Sequence, residues 1–276
     1  MSNKKPNKEA TLRLPETLRK VKNIVGVFSA KGGVGKSEIS LNLSLSLAAK
    51  GYAVGLLDAD IYGPSQPILL EASSEEITVK DKRLLTPIEK KGIKFISMGF
   101  IARDQKPIIW RGPMVSGAVM QLMAQTDWRE LDYLIVDTPP GTGDIQLTLI
   151  QRLPLDGAIV VTTPQEVSIS DTKKGIEMIK KLELPILGLI ENMSFFKPDK
   201  SKKKYYIFGK GGGEKLAKKY ELELLSKIPL FEKKEFVMLY DLKDYKLVFD
   251  VIANKVIKEL KVVKKSVDQP IPQTNE

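Results

Sequence analysis

The fold is decided by residues 25–37, which read Val25-Gly26-Val27-Phe28-Ser29-Ala30-Lys31-Gly32-Gly33-Val34-Gly35-Lys36-Ser37. The apolar run predicts a strand, the glycines predict a tight turn, and the turn opens a helix near Ser37. A phosphate-binding loop needs this order, because glycines let backbone N–H groups approach phosphate and a helix N-terminus favours anions. An ordinary glycine-rich turn is the alternative, but the Gly-Lys-Ser ending between a strand and a helix favours the phosphate loop.

Two side chains of this loop predict the chemistry of the bound phosphate. Lys36 is expected to reach the β- and γ-phosphates, and the Ser37 hydroxyl is expected to bind Mg²⁺. The loop therefore predicts ATP and Mg²⁺ as cofactors. We expect the nucleotide to be bound by Ala30, Lys31, Gly32, Gly33, Val34, Gly35, Lys36, Ser37 and Glu38.

The rest of the chain alternates apolar strands with helices. Further strands are predicted at residues 53–57, 93–98, 133–137, 157–163 and 187–190, and residues 71–92 are read as a hairpin. Helices are predicted at residues 38–50, 111–123, 168–182 and 245–263. This pattern is typical of the α/β class, with a doubly wound, mostly parallel sheet and helices on both faces, as in P-loop NTPases.

The length of 276 residues suits one large domain. We expect a mobile basic arm at residues 1–22, a P-loop ATPase domain at residues 23–263 and a flexible tail at residues 264–276. No apolar run has the roughly 18 uncharged residues that a membrane span needs. The first residues are polar and lysine-rich, without the apolar segment of a secretory signal, so we expect a cytoplasmic protein with no membrane contact.

The composition excludes several kinds of chemistry. The chain has no cysteine and no histidine, so it contains no disulfide, no thiolate or imidazole metal site and no Ser-His-Asp triad. Its net charge of +10 permits contact with nucleic acid. No recognisable nucleic-acid-binding motif accompanies the charge, so nucleic acid is the weaker choice of partner.

Carboxylates follow two of the predicted strands, where ligands of parallel sheets bind. Asp137 ends the strand of residues 133–137 and is expected to bind Mg²⁺, through water, opposite Ser37. Asp60 is expected to orient or deprotonate the attacking water and to contribute to the metal site. Asp58 is read as a structural group or as a group that contacts the waters of Mg²⁺, and a pair of surface aspartates is the alternative for both residues.

The loop after Asp137 is rich in glycine and proline. Gly141 is expected to place its N–H against the γ-phosphate and to sense loss of that phosphate, as switch loops do. A structural turn at a strand end is the alternative.

In this chain Ala30 stands where the general phosphate-loop pattern has its first glycine, and Lys31 follows it. This form of the loop resembles the deviant Walker A loop of the MinD/ParA-type ATPases, which contains an additional lysine at the position of Lys31. In that superfamily this lysine reaches across a nucleotide-sandwich dimer to the phosphates of the partner subunit. The resemblance implies a homodimer in which Lys31, with Lys36 and Asp60, takes part in catalysis. A solvated loop cation is the alternative for Lys31.

Five further motifs, in order, resemble those of the Mrp/ApbC-type ATPases, which are cytosolic iron–sulfur cluster carriers. They are Leu57-Asp58-Ala59-Asp60-Ile61-Tyr62-Gly63-Pro64-Ser65, Arg111-Gly112-Pro113-Met114, Asp137-Thr138-Pro139-Pro140-Gly141-Thr142-Gly143-Asp144, Thr162-Thr163-Pro164-Gln165-Glu166 and Glu191-Asn192-Met193-Ser194. The resemblance implies slow hydrolysis of ATP with Mg²⁺, and an iron–sulfur protein or scaffold as partner. It also implies that Asn192 contacts the adenine and that Pro229 lines the adenine pocket.

The chain departs from that family at three places. The family carries a C-x-x-C pair shortly after the Asn-Met-Ser motif, whereas residues 194–205 contain lysines and a proline there, so we expect no self-bound iron–sulfur cluster. Glu38 stands where the family has a hydroxyl, and its charge would repel the α-phosphate. The usual continuation after Pro229 is not recognisable.

Three hypotheses follow for the function. The first is an Mg²⁺-dependent dimeric ATPase of the Mrp type, whose iron–sulfur work is indirect. The second is a nucleotide-gated binding protein with little hydrolysis, which uses the lysines of residues 197–204 on an acidic partner or nucleic acid. The third is a partitioning ATPase like ParA or MinD.

Overall fold

The computed structural model describes residues 14–80, 84–102, 112–198, 203–230 and 243–268. Its strands, in chain order, are β1 (Ile24–Ser29), β2 (Val54–Asp58), β3 (Thr78–Lys80), β4 (Leu84–Thr86), β5 (Ile88–Lys90), β6 (Ile93–Ser97), β7 (Tyr133–Asp137), β8 (Gly157–Thr162), β9 (Ile186–Glu191) and β10 (Leu224–Lys227). Its helices are α1 (Glu16–Arg19), α2 (Lys36–Ala49), α3 (Gln66–Leu69), α4 (Met98–Ala102), α5 (Gly112–Gln125), α6 (Asp144–Arg152), α7 (Glu166–Lys181), α8 (Gly212–Tyr220) and α9 (Lys243–Asp268).

Eight strands form the main sheet in the order β10-β9-β8-β1-β7-β2-β6-β5. All neighbouring strands are parallel except β5 and β6, which pair antiparallel. β1 lies in the interior, and the chain adds strands on both sides of it. The structure therefore confirms the predicted doubly wound, mostly parallel sheet. The predicted hairpin at residues 71–92 becomes two antiparallel pairings, β3 with β4 and β5 with β6.

Helices cover both faces of the sheet, because alternate side chains of each strand point to opposite sides. Leu56 is buried in the core that α2 and α9 cover, whereas Leu57 is buried with the apolar residues of α5. α2 is buried on most of its circumference, between the sheet and α9. Ser44 Oγ donates to the Ser40 carbonyl one turn earlier at 2.8 Å, whereas Ser46 Oγ donates to Asp250 Oδ1 on α9 at 2.7 Å.

Some element boundaries differ from the sequence prediction. α9 begins at Lys243 and ends at Asp268, so the helix enters the segment predicted as a flexible tail. Within the segment predicted as a mobile arm, residues 14–22 are packed on the domain: α1 buries Leu18, and Val21 pairs with Leu131. β10, α6 and α8 were not predicted; they are short segments of four, nine and nine residues.

One edge of the sheet collects the predicted functional residues. Asp58 and Asp137 are the last residues of β2 and β7, Asn192 directly follows β9, and the glycine turn follows β1. This confirms the prediction that the carboxyl ends of these strands meet at one edge. Within the described ranges, no helix combines the length and apolar character needed to cross a membrane.

Candidate functional site

The turn between β1 and α2 presents a row of backbone N–H groups. Across the described residues, no N–H of residues 32–37 donates a hydrogen bond to a protein atom. Gly33 and Gly35 have φ values of +77° and +83°, which residues with a side chain rarely adopt. Gly35 is also the N-cap of α2, so the row lies at the positive end of a helix. This arrangement is a binding site for an anion such as phosphate.

Lys36 lies inside the protein and forms an ion pair with Asp137. Both side chains are buried, and Asp137 is fully inaccessible to solvent. The same Asp137 oxygen accepts a hydrogen bond from Ser40 Oγ at 3.0 Å, and its other oxygen accepts one from Gln66 Nε2 at 3.0 Å. The structure thus brings together two residues that the sequence assigned to phosphate and to Mg²⁺. The ammonium has three N–H donors, of which one is bound to Asp137.

A second buried carboxylate, Asp58, lies beside Asp137, because the parallel register of β2 and β7 pairs these two residues. Asp58 accepts hydrogen bonds from Ser97 Oγ at 2.9 Å and from the Gln66 N–H at 3.1 Å. Burial, and next the negative charge of Asp137, raise the pKa of Asp58 to about 7. The site therefore holds two adjoining carboxylates with one internal cation, and an added cation would stabilise it.

Asp60 lies two residues beyond β2 and is nearly buried. Its Oδ1 accepts the N–H groups of Tyr62 at 3.1 Å and Gly63 at 3.2 Å, so the carboxylate is held by its own loop. Its N–H donates to Asp58 Oδ1 at 3.2 Å. Among the described residues, no hydrogen bond engages Asp60 Oδ2. That oxygen can accept a proton from a water molecule, which keeps the predicted role open.

Gly141 lies in the loop after β7 with a φ of +122°. Its N–H donates to the Ser29 carbonyl at 2.9 Å and so joins this loop to the end of β1. A contact between this N–H and a γ-phosphate requires that hydrogen bond to open. The sensing role of Gly141 remains a prediction, but the bond provides a route by which the loop can respond to events in the glycine turn.

Lys31 lies on the surface of the glycine turn and forms an ion pair with Asp171. Its ammonium lies 3.3 Å from Asp171 Oδ2 on α7, and Lys174 lies 3.5 Å from the other oxygen of Asp171. The hydrogen bond from Lys31 is the largest cause that lowers the pKa of Asp171. About 40% of the Lys31 side chain is exposed, so it is available to a molecule that covers this edge.

Asn192 makes contacts that its sequence position did not indicate. Its Nδ2 donates to the Val34 carbonyl at 2.8 Å, and this side chain leaves no room for a Cβ at Gly35. Asn192 is therefore a brace under the glycine turn. Pro229, half-buried after β10, lies between residues whose backbones bond to the chain after β9: the Leu230 N–H donates to the Phe195 carbonyl at 2.7 Å. The adenine contacts of Asn192 and Pro229 remain predictions.

Glu38 lies in the first turn of α2 and is partly buried. Burial, and next the charge of Glu38, raise the pKa of Tyr245 on α9. The carboxylate thus lies close to α9, which places its charge at the contact between two helices. Its effect on the α-phosphate remains a prediction. Ser37, by contrast, is bound to the start of α3 through its carbonyl, which accepts a hydrogen bond from Gln66 Nε2 at 2.9 Å.

Sequence reasoning missed Gln66, Ser40 and Ser97. Gln66 joins the Ser37 carbonyl to Asp137, and its side chain is fully buried. Ser40 follows Ser37 by about one helical turn, and this spacing is the only sequence signal that could have indicated it. Gln66 and Ser97 carry no such signal, because they reach the site from other elements.

The residues near the glycine turn fit a hard cation such as Mg²⁺. The available donors are the Ser37 hydroxyl and the Asp60 and Asp137 carboxylates, and Mg²⁺ prefers oxygen ligands and retains several waters. Both oxygens of Asp137 are already engaged, so binding through water fits better than direct ligation. Across the described ranges, no three His, Cys, Asp or Glu side chains form a metal-ligating group. A cation here would depend on waters and on a bound phosphate.

The segment where the family resemblance places cysteines bonds to the domain where the Phe195 carbonyl accepts the Leu230 N–H, and its two ends also pair with each other. Phe196 and Tyr205 exchange hydrogen bonds at 2.7 and 2.8 Å. The predicted lysine run covers residues 197–204, of which residues 199–202 lie outside the described part of the chain. Lys204 lies over the Phe195 ring at 4.3 Å.

The parallel sheet, the glycine turn and the buried Lys36–Asp137 pair together define a P-loop nucleotide-binding protein. A family model described as "ParA: NUBPL iron-transfer P-loop NTPase" matches residues 20–264. The chain belongs to this family.

Relatives of the chain support the same family assignment. An iron–sulfur cluster carrier protein of Pseudomonas fragi is 50% identical over 214 residues, which cover 77% of this chain and 75% of that protein. A protein of the same name from Escherichia coli K12 is 52% identical over 210 residues, which cover 76% of this chain. The match spans only 57% of the Escherichia coli protein.

A solved structure also resembles the chain. It is a nucleotide-binding protein from Archaeoglobus fulgidus in complex with ADP, with 33% identity and a TM-score of 0.71. The alignment covers 89% of this chain and 92% of that one. The predicted relationship to the iron–sulfur cluster carrier P-loop NTPases is therefore confirmed.

Proposed function

We propose that this chain is a slow, Mg²⁺-dependent ATPase that acts as a homodimer and takes part in iron–sulfur cluster assembly or transfer. The observation that carries the proposal is the row of unpaired N–H groups at residues 32–37, beside the buried pair of Lys36 and Asp137. The ADP in the related structure from Archaeoglobus fulgidus supports a nucleotide as the ligand.

The site explains how the chain's own residues act on a bound polyphosphate. The N–H row receives the phosphate oxygens, and Lys36 exchanges its pair with Asp137 for the β- and γ-phosphates. Asp137, released from Lys36, then becomes available to the water shell of the cation. Bound Mg²⁺ would neutralise charge on the β- and γ-phosphates. Asp60, held by its own loop through Oδ1, orients the attacking water through Oδ2 and accepts its proton.

A second copy of the chain completes the site in this proposal. Lys31 is exposed at the edge that carries the glycine turn, where it can cross to the phosphates of a partner subunit. Large exposed apolar side chains occur on the loops and helix starts near that edge, namely Tyr62, Ile68, Met114, Leu147 and Val167. Exposed apolar groups of this kind support a docking surface. ATP then stabilises the closed dimer by contacting both subunits, and hydrolysis releases it.

The iron–sulfur role rests on the named relatives and on the family. Because the chain has no cysteine and no histidine, it has no thiolate or imidazole to ligate a cluster. We propose that the partner, an iron–sulfur protein or scaffold, supplies all cluster ligands. The chain then contributes nucleotide-driven association and release.

The central experiment measures phosphate release from ATP with and without Mg²⁺, and the sedimentation of the same protein with ADP or a non-hydrolysable ATP analogue. The proposal expects slow release that needs Mg²⁺, and a dimer only with the ATP analogue. A dimer without phosphate release would instead support a nucleotide-gated binding protein. A monomer under all conditions would contradict the proposed dimer.

A second experiment tests the cluster role. The chain is incubated anaerobically with iron and sulfide and followed by absorbance. We expect no stable cluster on the chain alone, whereas ATP should speed the transfer of a cluster from a loaded scaffold to an apo acceptor in its presence. A stable cluster on the chain alone would contradict the proposal that the partner supplies all cluster ligands.

A further inference from the structure

A pocket of about 390 Å³ lies on the far side of β9 from the glycine turn, and lysines surround it. Four ammonium-bearing side chains line it: Lys204, Lys210, Lys215 and Lys227. They come from the chain after β9, from α8 and from β10. The convergence therefore depends on tertiary structure and is not a run of lysines along one element.

The positive charge of this pocket is only partly neutralised. Of its two lining carboxylates, Glu214 forms an ion pair with Lys227. The other, Glu191, is fully buried and accepts hydrogen bonds from Ser194 Oγ and the Gly213 N–H, both at 2.5 Å. Both carboxylates thus have partners within the protein.

Three lysines of the pocket have no carboxylate partner in the part of the chain that the structure describes. Within the described ranges, no ion pair joins Lys204, Lys210 or Lys215 to a carboxylate. Three ammonium groups around one small cavity repel one another, and a multivalent anion between them would remove that repulsion.

Aromatic rings form one wall and position two of these cations. The Phe195 and Tyr206 rings lie 6.3 Å apart between centroids and are tilted by 59°. Lys204 Nζ lies 4.3 Å from the Phe195 centroid, and Lys210 Nζ lies 4.9 Å from the Tyr206 centroid. Cation–π contacts of this length reduce the freedom of both ammonium groups. The wall also offers an apolar surface to the body of an organic ligand.

The pocket is distinct from the nucleotide site, although the same strand end supports both. Glu191 is the last residue of β9, whereas Asn192 lies in the turn that follows the strand. Glu191 binds the start of α8 at the pocket, whereas Asn192 binds the Val34 carbonyl in the glycine turn.

We propose that this pocket binds a small organic phosphate. The phosphate lies between Lys210, Lys215 and Lys204, since lysine ammonium groups bind phosphate well as point charges. The organic body packs on Phe195 and Tyr206. This site is additional to the proposed ATPase activity and does not depend on it.

Isothermal titration calorimetry with phenyl phosphate tests this site on the full chain. The probe carries one phosphate and one ring, so it matches both halves of the pocket. The test variant combines Lys210→Gln with Lys215→Gln. The matched control combines Lys258→Gln with Lys261→Gln, which removes the same charge from exposed positions of α9 that do not line the pocket. All four lysines are exposed, and thermal unfolding checks that both variants remain folded.

We expect saturable binding of one phenyl phosphate, and inorganic phosphate should bind more weakly because it lacks the ring. The test variant should weaken binding by at least about tenfold, since it removes two charge-assisted contacts. The control should stay within roughly twofold of the unmodified chain, because long-range charge effects are screened.

Three outcomes would overturn the site. One is no saturable binding up to roughly 10 mM ligand. Another is an equal loss of affinity in test and control variants, which would show attraction to net charge alone. The third is unchanged affinity in the test variant, which would place the bound phosphate in the glycine turn.

Discussion

Replacing Asn192 by alanine distinguishes between two roles for this side chain, a brace under the glycine turn and a contact to adenine. The change removes the 2.8 Å hydrogen bond from Nδ2 to the Val34 carbonyl. Such a bond contributes about 1 kcal/mol net, and a carbonyl left without a partner in the interior costs about 1–3 kcal/mol. Val34 is buried, so we expect a loss of about 2 kcal/mol in the free energy of unfolding.

The same free energy sets the upper limit of the effect on binding. If all of it is used to hold the turn in its binding conformation, the Kd rises by roughly 30-fold. The brace acts on the phosphate-binding turn itself, so ADP and pyrophosphate should weaken by the same factor. A contact to adenine would weaken ADP alone, because pyrophosphate has no base.

Calorimetric titration of both ligands and urea denaturation measure these effects. Asn23→Ala is the matched control, since Asn23 Nδ2 also donates to a backbone carbonyl at 2.8 Å, that of Asp132, at the opposite end of β1. It should reduce stability without changing either Kd. Unchanged pyrophosphate affinity in Asn192→Ala would refute the brace as a determinant of binding.

Three further variants test the site. Lys31→Ala should abolish ATP-dependent dimerisation in sedimentation, while its ADP affinity changes by less than about threefold, because Lys31 pairs with Asp171 and not with the nucleotide site of its own subunit. The control Lys174→Ala, which removes the other partner of Asp171, should still dimerise with ATP. ATP-dependent dimerisation of Lys31→Ala would contradict the role of Lys31 across the subunit interface. Lys36→Met should lose about 3–5 kcal/mol in the free energy of unfolding at pH 8, because Asp137 is left as a buried charge without its cation. A loss of about 1 kcal/mol or less, as expected for a surface ion pair, would show that this pair does not stabilise the fold. Asp58→Asn tests the pKa of Asp58, which is about 7 in the folded chain against an ordinary value of 3.8. Between these two pH values the folded state binds more protons than the unfolded state, so the free energy of unfolding of the unmodified chain falls as pH rises from about 4 to 7. Urea denaturation across that range should show a smaller fall in Asp58→Asn than in the unmodified chain, and parallel curves would show that Asp58 is ionised throughout.

This chain has the phosphate-binding features of its family but contains no cysteine. Residues 32–37 and the Lys36–Asp137 pair retain what a phosphate needs. The segment after Asn192 instead presents Lys204 over an aromatic ring. The proposals therefore assign nucleotide chemistry to one side of β9 and binding of a separate small anion to the other.

The parts of the fold that the sequence predicted follow from local chemistry. Apolar runs of five or six residues predicted β1, β2 and β7, because strands buried on both faces need continuous apolar sequence. The carboxylates Asp58 and Asp137 stood at strand ends in the sequence and stand there in the structure. β10 and α8 escaped prediction because they span only four and nine residues, over which a sequence pattern is difficult to identify.

The sequence by itself determined the phosphate loop and its place at the edge of a parallel sheet, because glycine conformations and apolar periodicity act over a few neighbouring residues. Only the tertiary structure decided what these residues contact. Asn192 donates to the Val34 carbonyl from 158 positions away, and Gln66 joins Ser37 to Asp137 from the start of α3. The orientation of a buried side chain depends on which donors and acceptors the folded chain brings within about 3 Å, and sequence spacing carries no record of that distance.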